Sequence, residues 1–290
     1  MDRESVCRPE RRDVMTVRLP MITLAVVVAA GAAVAGCGSS EDEAAVPTPG
    51  TEPFLEDLEA TLVLPADTSG EVPLVVLVPG GGWFAAELEG FPELSEDLAA
   101  RGAAVVTMVY RTSDSGEYFP VPVEDVACGF AYAADATQGL DVSQAVLGGH
   151  SSGANMAALV ALGPDDFASS ECPYESAAPD SFIGISGPYD ITEAFPAVAE
   201  AFFGPDRNDP ATWDEGNPTA YADQRPEVPA LLVHGTADDM VPITFTEDFA
   251  AALTDGGHEV TADYPEGADH FSVLDPAIAG PVIATWLGLS

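Results

Sequence analysis

The sequence predicts an α/β fold: a mostly parallel central sheet with helices on both faces. Three observations carry that expectation. Short, near-continuous apolar runs recur at residues 74–78, 103–110, 181–187 and 229–234, without the in–out alternation of a strand that keeps one face in water. Amphipathic or small-residue helical stretches separate them, the pattern of strands joined by crossover helices. The roughly 235 residues from Phe54 onward suit one domain.

Taken in order, the strand at 74–78 runs into Pro79-Gly80-Gly81-Gly82-Trp83-Phe84, and a helix around 94–101 follows. A second strand at 103–110 ends in Tyr110-Arg111, and a helix spans 123 to about 137. The strand at 143–148 leads into a helix from about Ser151 through Ala161. After the strand at 181–187, residues 188–225 are irregular and carry Phe195, Phe202, Phe203, Trp213 and Tyr221, which form either a cap and pocket wall or plain packing onto the core. Strands at 229–234 and 259–264 and a closing helix over 277–287 complete the chain. No internal repeat is visible.

Gly149-His150-Ser151-Ser152-Gly153 lies where the strand at 143–148 turns into its helix. So tight a turn strains the serine backbone and crowds the positions two residues away on either side, which glycine relieves. A serine displayed there can serve as a nucleophile if a base and an acid reach it. Four histidines are available. His150 cannot fold back on its own neighbour, His234 ends an apolar strand as a packing residue, and His258 opens a strand before the loop where a base belongs. His270, in the turn-rich loop Glu266-Gly267-Ala268-Asp269-His270-Phe271, is left as the base. The loop His234-Gly235-Thr236-Ala237-Asp238-Asp239 offers two acids that could orient its imidazole. Helix N-capping suits Asp239 better. Asp269 reads as a solvated loop charge. The three glycines after residues 74–78 let main-chain N–H groups approach a ligand closely. G-x-G-x-x-G is absent and the chain has no lysine, which excludes the common nucleotide-binding loops.

These motifs together resemble an α/β-hydrolase of the carboxylesterase type, in the branch of hormone-sensitive-lipase-like esterases, feruloyl esterases and kynurenine formamidases. The resemblance covers roughly residues 54–289. It rests also on Phe119-Pro120-Val121-Pro122-Val123-Glu124-Asp125-Val126, Asn217-Pro218, Asp238-Asp239-Met240-Val241-Pro242 and Asp269-His270-Phe271. It implies that Ser151 is the nucleophile, His270 the base and Asp238 the acid, with the N–H groups of Gly81, Gly82 and Ser152 as the oxyanion hole and that of Trp83 as a further candidate donor. Pro79 departs from the family, which usually has a histidine there that itself donates no oxyanion hydrogen bond. The reaction implied is cleavage of small-molecule esters through an acyl-enzyme, with no metal or cofactor. An arylformamidase is the nearest rival; a prolyl-oligopeptidase-type peptidase lacks room for its propeller. A non-catalytic binding lipoprotein on the same fold is the rival from outside the enzymes. Trp83, Phe84, Tyr118 and Tyr189 are the candidate pocket residues. Nothing in the sequence sets the oligomeric state.

At the N-terminus, Arg11, Arg12 and Arg18 precede an uncharged stretch from Leu19 to Ser40 that contains Val34-Ala35-Gly36-Cys37. This resembles a bacterial lipobox, with residues 1–36 a cleaved signal, Cys37 acylated, residues 37–53 a disordered tether and 54–290 the catalytic domain on the extracytoplasmic face. An uncleaved anchor is the alternative, and translation could begin at Met1 or Met15. In an exported domain, Cys128 and Cys172 are expected to form a disulfide. Residues 1–36 hold five of the nine arginines and four of the 48 acids, which leaves four arginines against 44 acids. So negative a field excludes nucleic acid as a partner and points to adaptation to salt.

Overall fold

In the computed structural model, residues 46–191, 196–205 and 213–289 are described. Cys37 and the proposed signal lie outside them, as does Phe195. Among the described residues no helix is long and apolar enough to cross a membrane.

Eight strands form one sheet in the order β1-β2-β4-β3-β5-β6-β7-β8. They are β1 (Gly50–Leu55), β2 (Leu58–Val63), β3 (Glu71–Val78), β4 (Ala104–Met108), β5 (Asp141–His150), β6 (Ser181–Ile185), β7 (Ala230–Val233) and β8 (Val260–Asp263). From β4 to β8 every pairing is parallel, while β1 pairs β2 and β2 pairs β4 antiparallel. β3, β4, β6 and β7 fall on the apolar runs, and β5 and β8 on the strands expected at 143–148 and 259–264. The antiparallel hairpin is a correction: β1 begins at Gly50, four residues before the expected Phe54 boundary, so residues 50–53 belong to the sheet. Gly50, Thr51 and Glu52 pair with Leu62, Thr61 and Ala60 along the sheet edge, where exposed polar residues and Pro53 are tolerated.

The helices are α1 (Phe91–Ala100), α2 (Val121–Ala136), α3 (Ser152–Leu162), α4 (Pro196–Phe203), α5 (Thr244–Gly256) and α6 (Ala279–Trp286). The sheet separates two cores. On one side Phe130, Met156, Leu159 and Phe182 pack with α2 and α3; on the other Leu94, Leu98, Val105 and Ile283 pack with α1 and α6. Every residue of α3 is buried, which explains its small, apolar make-up: a helix without a wet face has no amphipathic stripe.

Two cross-links fix α2, which sits beside α3. A disulfide joins Cys128 on α2 to Cys172 in the loop after α3. Asp125, with a fully buried side chain, accepts hydrogen bonds from the Arg111 guanidinium at 2.6 and 2.9 Å and from the Arg111 main-chain N–H at 2.9 Å. A buried carboxylate is tolerable only with such saturation. It also ties α2 to the segment following β4.

Candidate active site

Strand β5 ends at His150 and helix α3 starts at Ser152, so Ser151 alone makes the turn, at φ 53° and ψ −125°. Few non-glycine residues adopt such a backbone unless their surroundings impose it. Here the surroundings do: the Ser151 N–H donates to the Ile185 carbonyl at 2.9 Å. A Cβ on Gly153 would stand 2.3 Å from the Val78 carbonyl oxygen, so only glycine lets α3 approach the end of β3 this closely.

The structure brings three distant side chains to this point. The Ser151 hydroxyl lies 3.0 Å from His270 Nε2, and His270 Nδ1 donates to Asp238 Oδ2 at 2.7 Å. Asp238 Oδ1 accepts the main-chain N–H groups of Met240 (3.0 Å) and Val241 (2.9 Å), which sets the carboxylate's direction. Burial raises the Asp238 carboxyl, but hydrogen bonds from His234, His270 and the Val241 N–H outweigh it and hold the group well below the ordinary carboxylate range. Asp238 therefore stays charged beside the imidazole. Asp239 is exposed and does not cap the following helix, which starts only at Thr244 with Ile243 in the cap position. Asp269 is exposed and accepts the N–H groups of Phe271 and Ser272 at 3.2 and 2.8 Å, a local turn bond.

The glycine loop faces this serine. Gly81, Gly82 and Trp83 have φ of 129°, 60° and 63°. Gly80, Gly81, Gly82, Ser151, Ser152 and His270 all line one cavity of about 480 Å³. Ser152, as the first residue of α3, has an N–H with no intrahelical acceptor. The buried Tyr110 hydroxyl braces the loop from behind, donating toward the carbonyl oxygens of Pro79 (3.0 Å), Ala85 (3.2 Å) and Gly80 (3.3 Å).

The remaining histidines are buried, and two of them serve the site. His234 donates from Nε2 to the Val241 carbonyl at 3.0 Å and lies 3.3 Å from Asp238 Oδ2, while Nδ1 meets the Thr246 hydroxyl at 2.7 Å. It packs, as expected, and it also supports the acid. His150 donates from Nε2 to the His270 carbonyl at 2.7 Å and tethers the base loop to the elbow. His258 donates to the Val228 carbonyl, far from the serine. Sequence reasoning missed the roles of Tyr110, His150 and His234. The available signal was position: a tyrosine two residues after β4, a histidine next to the serine, and one four residues before Asp238.

Burial and the nearby His270 push the His150 imidazole down to about 3, so it is neutral in the folded protein. An unfolded chain has no such penalty and takes the proton near pH 6.5. Below about pH 6.5 the unfolded state therefore binds more protons, and folding stability falls by about 1.4 kcal/mol per pH unit toward pH 3; above about 6.5 it is unaffected. His150→Gln cannot titrate, so its urea midpoint should fall less steeply than the parent's between pH 7 and 5. Parallel midpoint curves would show that His150 does not titrate differently in the two states.

The cavity wall is mainly apolar, with Trp83, Phe84, Val198, Met240, Phe245 and Phe271. Tyr118 and Tyr189 do not line it, a correction to the expected pocket residues. Tyr189 is fully buried and stacks on Phe249 at 4.2 Å, and Tyr118 lies against Gly204. Residues 188–225 divide between the two readings. Pro188 and Val198 line the cavity, whereas Phe202 stacks on Trp83 at 4.8 Å and Phe203 on Trp213 at 5.4 Å as packing.

Comparison with known proteins places the chain. The family described as BD-FAE matches residues 61–253, about two thirds of the chain, including Ser151 and Asp238. "Esterase LipQ" of Mycobacterium tuberculosis is 29% identical over 232 residues, 73% of this chain and 53% of its own length. "Probable isoprenylcysteine alpha-carbonyl methylesterase ICME" of Oryza sativa subsp. japonica is 27% identical over 236 residues, 76% of this chain and 57% of its own. The chain thus spans about half the length of the curated relatives it matches. Among solved structures, an acetyl ester-xyloside bifunctional hydrolase from Caldicellulosiruptor lactoaceticus superposes with TM-score 0.70 at 18% identity, covering 84% of this chain and 97% of that one. The apo form of Thermogutta terrifontis esterase 2 gives TM-score 0.67 at 21% identity, covering 86% and 98%. At these identities the likeness is one of fold.

Proposed function

We propose that this chain, which belongs to the BD-FAE family and has the α/β-hydrolase fold, is a serine carboxylesterase that works through an acyl-enzyme. The observation that carries the reading is the continuous hydrogen-bonded line from Ser151 through His270 to Asp238 at the floor of an apolar cavity. The relatives named as esterases support ester as the bond cleaved.

In this mechanism Ser151 Oγ attacks the ester carbonyl carbon while His270 Nε2 takes its proton. Asp238, kept charged by its surroundings, fixes the tautomer in which Nε2 is free to accept and stabilises the imidazolium that forms. The negative charge moves to the former carbonyl oxygen, which in this reading accepts hydrogen bonds from the N–H groups of Gly81, Gly82 and Ser152. Collapse breaks the bond to the alcohol, which leaves with the proton returned by His270. Water then repeats the sequence on the acyl-enzyme and releases the acid.

The N-terminal pattern supports a lipid-anchored enzyme on the extracytoplasmic side, attached through Cys37. One experiment on the full-length chain expressed in bacteria tests both parts. A fluorophosphonate probe should label Ser151, and labelled palmitate should enter at Cys37 and vanish in Cys37→Ser. A folded protein that never takes the phosphonate is a binder on a hydrolase fold, and one that takes it without acylation is an esterase with no lipid anchor.

A further inference from the structure

Among the described residues, the carboxylates of Glu87 and Glu89 line the catalytic cavity and no arginine does, and the chain has no lysine. Glu87 is fixed by its own main chain: its N–H donates to the Gly80 carbonyl at 2.9 Å, so it stands beside the glycines that face Ser151. Both glutamates are exposed at the mouth. The described guanidiniums are engaged elsewhere. Arg101 pairs with Asp97 at 2.7 Å, Arg111 with Asp125 at 2.6 Å, and Arg225 donates to the Ala161 and Pro179 carbonyls at 2.6 and 3.0 Å. Among the described residues, then, no cationic side chain offsets the two carboxylates.

The same cavity is lined by the rings of Phe84, Phe245 and Phe271, with Phe84 45% and Phe271 52% exposed. Aromatic faces attract a cation through the ring quadrupole, most of all a weakly hydrated ammonium carrying alkyl groups. Carboxylates at the rim add a field that concentrates cations and repels anions, focused by low-dielectric walls. A purely apolar substrate would use the rings and gain nothing from the acids.

Resting on the esterase reading, we propose that the cavity selects esters that carry a positive charge, such as esters of ammonium alcohols. It discriminates against neutral isosteres and more strongly against anionic esters, with Glu87 and Glu89 as the specificity-determining residues.

The test uses three butyrate esters: of choline, of 3,3-dimethylbutanol (the carbon isostere of choline) and of 2-sulfoethanol. At about 0.01 M NaCl, kcat/KM should fall about tenfold from cation to neutral and again to anion. At about 1 M NaCl, where the Debye length is about 3 Å, the spread should shrink severalfold. In the Glu87→Gln/Glu89→Gln double variant the cation-to-neutral ratio should shrink likewise at low salt; a urea midpoint matching the parent shows that the fold is kept. Equal kcat/KM for the choline and dimethylbutyl esters, or a ratio untouched by the double variant, overturns the proposal. Phosphonylation of Ser151 by phosphonates with choline and dimethylbutyl leaving groups separates the two levels. Reaction with both at equal rates removes the charge selectivity alone, whereas no reaction with either phosphonates or esters removes the esterase reading and this proposal with it.

Discussion

Ser151→Ala is expected to lower kcat at least about 10³-fold on any ester the protein turns over, with the urea midpoint little changed. The loss follows from the geometry. Without Oγ there is no atom 3.0 Å from His270 Nε2 to attack, and the imidazole has nothing to deprotonate but a loosely held water. His270→Ala should be nearly as damaging, because nucleophile and base act as one unit and their effects do not add. A factor of 10³ is about 4 kcal/mol of transition-state stabilisation. Asp238→Asn should cost less than either. The Oδ1 atom could still accept the Met240 and Val241 N–H groups, but an amide neither stabilises the imidazolium nor enforces the tautomer. Kinetics with p-nitrophenyl acetate on the three variants would decide. Activity abolished by His258→Ala and kept in His270→Ala would place the base elsewhere, against the 2.8 Å bond that occupies His258 with the Val228 carbonyl.

The parts of this site that could be read from the sequence are those encoded locally. Apolar runs announce buried parallel strands because both faces of β3 to β7 are covered, and glycines two residues either side of Ser151 announce the tight turn. The β1–β2 hairpin escaped because an exposed edge strand with Pro53 has no apolar run to show. The identity of the acid could not come from composition, since Asp238 and Asp239 are chemically equal. It depends on which carboxylate the turn at 238–241 points inward, and the N–H groups of Met240 and Val241 select Asp238. His150 illustrates a different limit. Elimination excludes it as the base, yet its partner is the carbonyl of a residue 120 positions away, a pairing no local pattern encodes. Tyr110 and Tyr189 are also alike in sequence, each near the end of a strand. Both lie in the same core, yet one braces the glycine loop and the other stacks on Phe249, a difference set by the distant residues each meets there.

Gly81→Ala is the second substitution with a large expected effect, and it probes the oxyanion hole without touching the triad. Gly81 has φ of 129°, where a side chain is strained, and a methyl there would meet the Ala85 carbonyl oxygen at 2.2 Å. That carbonyl is one of the three toward which Tyr110 donates, and Gly81's own carbonyl accepts the Phe84 and Ala85 N–H groups at 3.1 and 3.3 Å. The loop therefore has no slack in which to absorb the methyl, so the donors at Gly81 and Gly82 must move relative to Ser151. Losing one oxyanion donor typically costs about 10²–10³ in kcat. That loss is the expected result, and KM should change little because the donors act on the transition state more than on the bound ester. Gly82→Ala is the internal control. Its φ of 60° lies in the ordinary left-handed region, where a methyl would first touch the Phe84 ring at 3.5 Å, so its strain is about 1–2 kcal/mol and its effect on kcat is expected to be smaller. Equal kcat for parent and Gly81→Ala would mean that the glycine loop does not hold the oxyanion. Equal losses in both variants would mean that loop flexibility, and not the crowding against Ala85, is what catalysis needs.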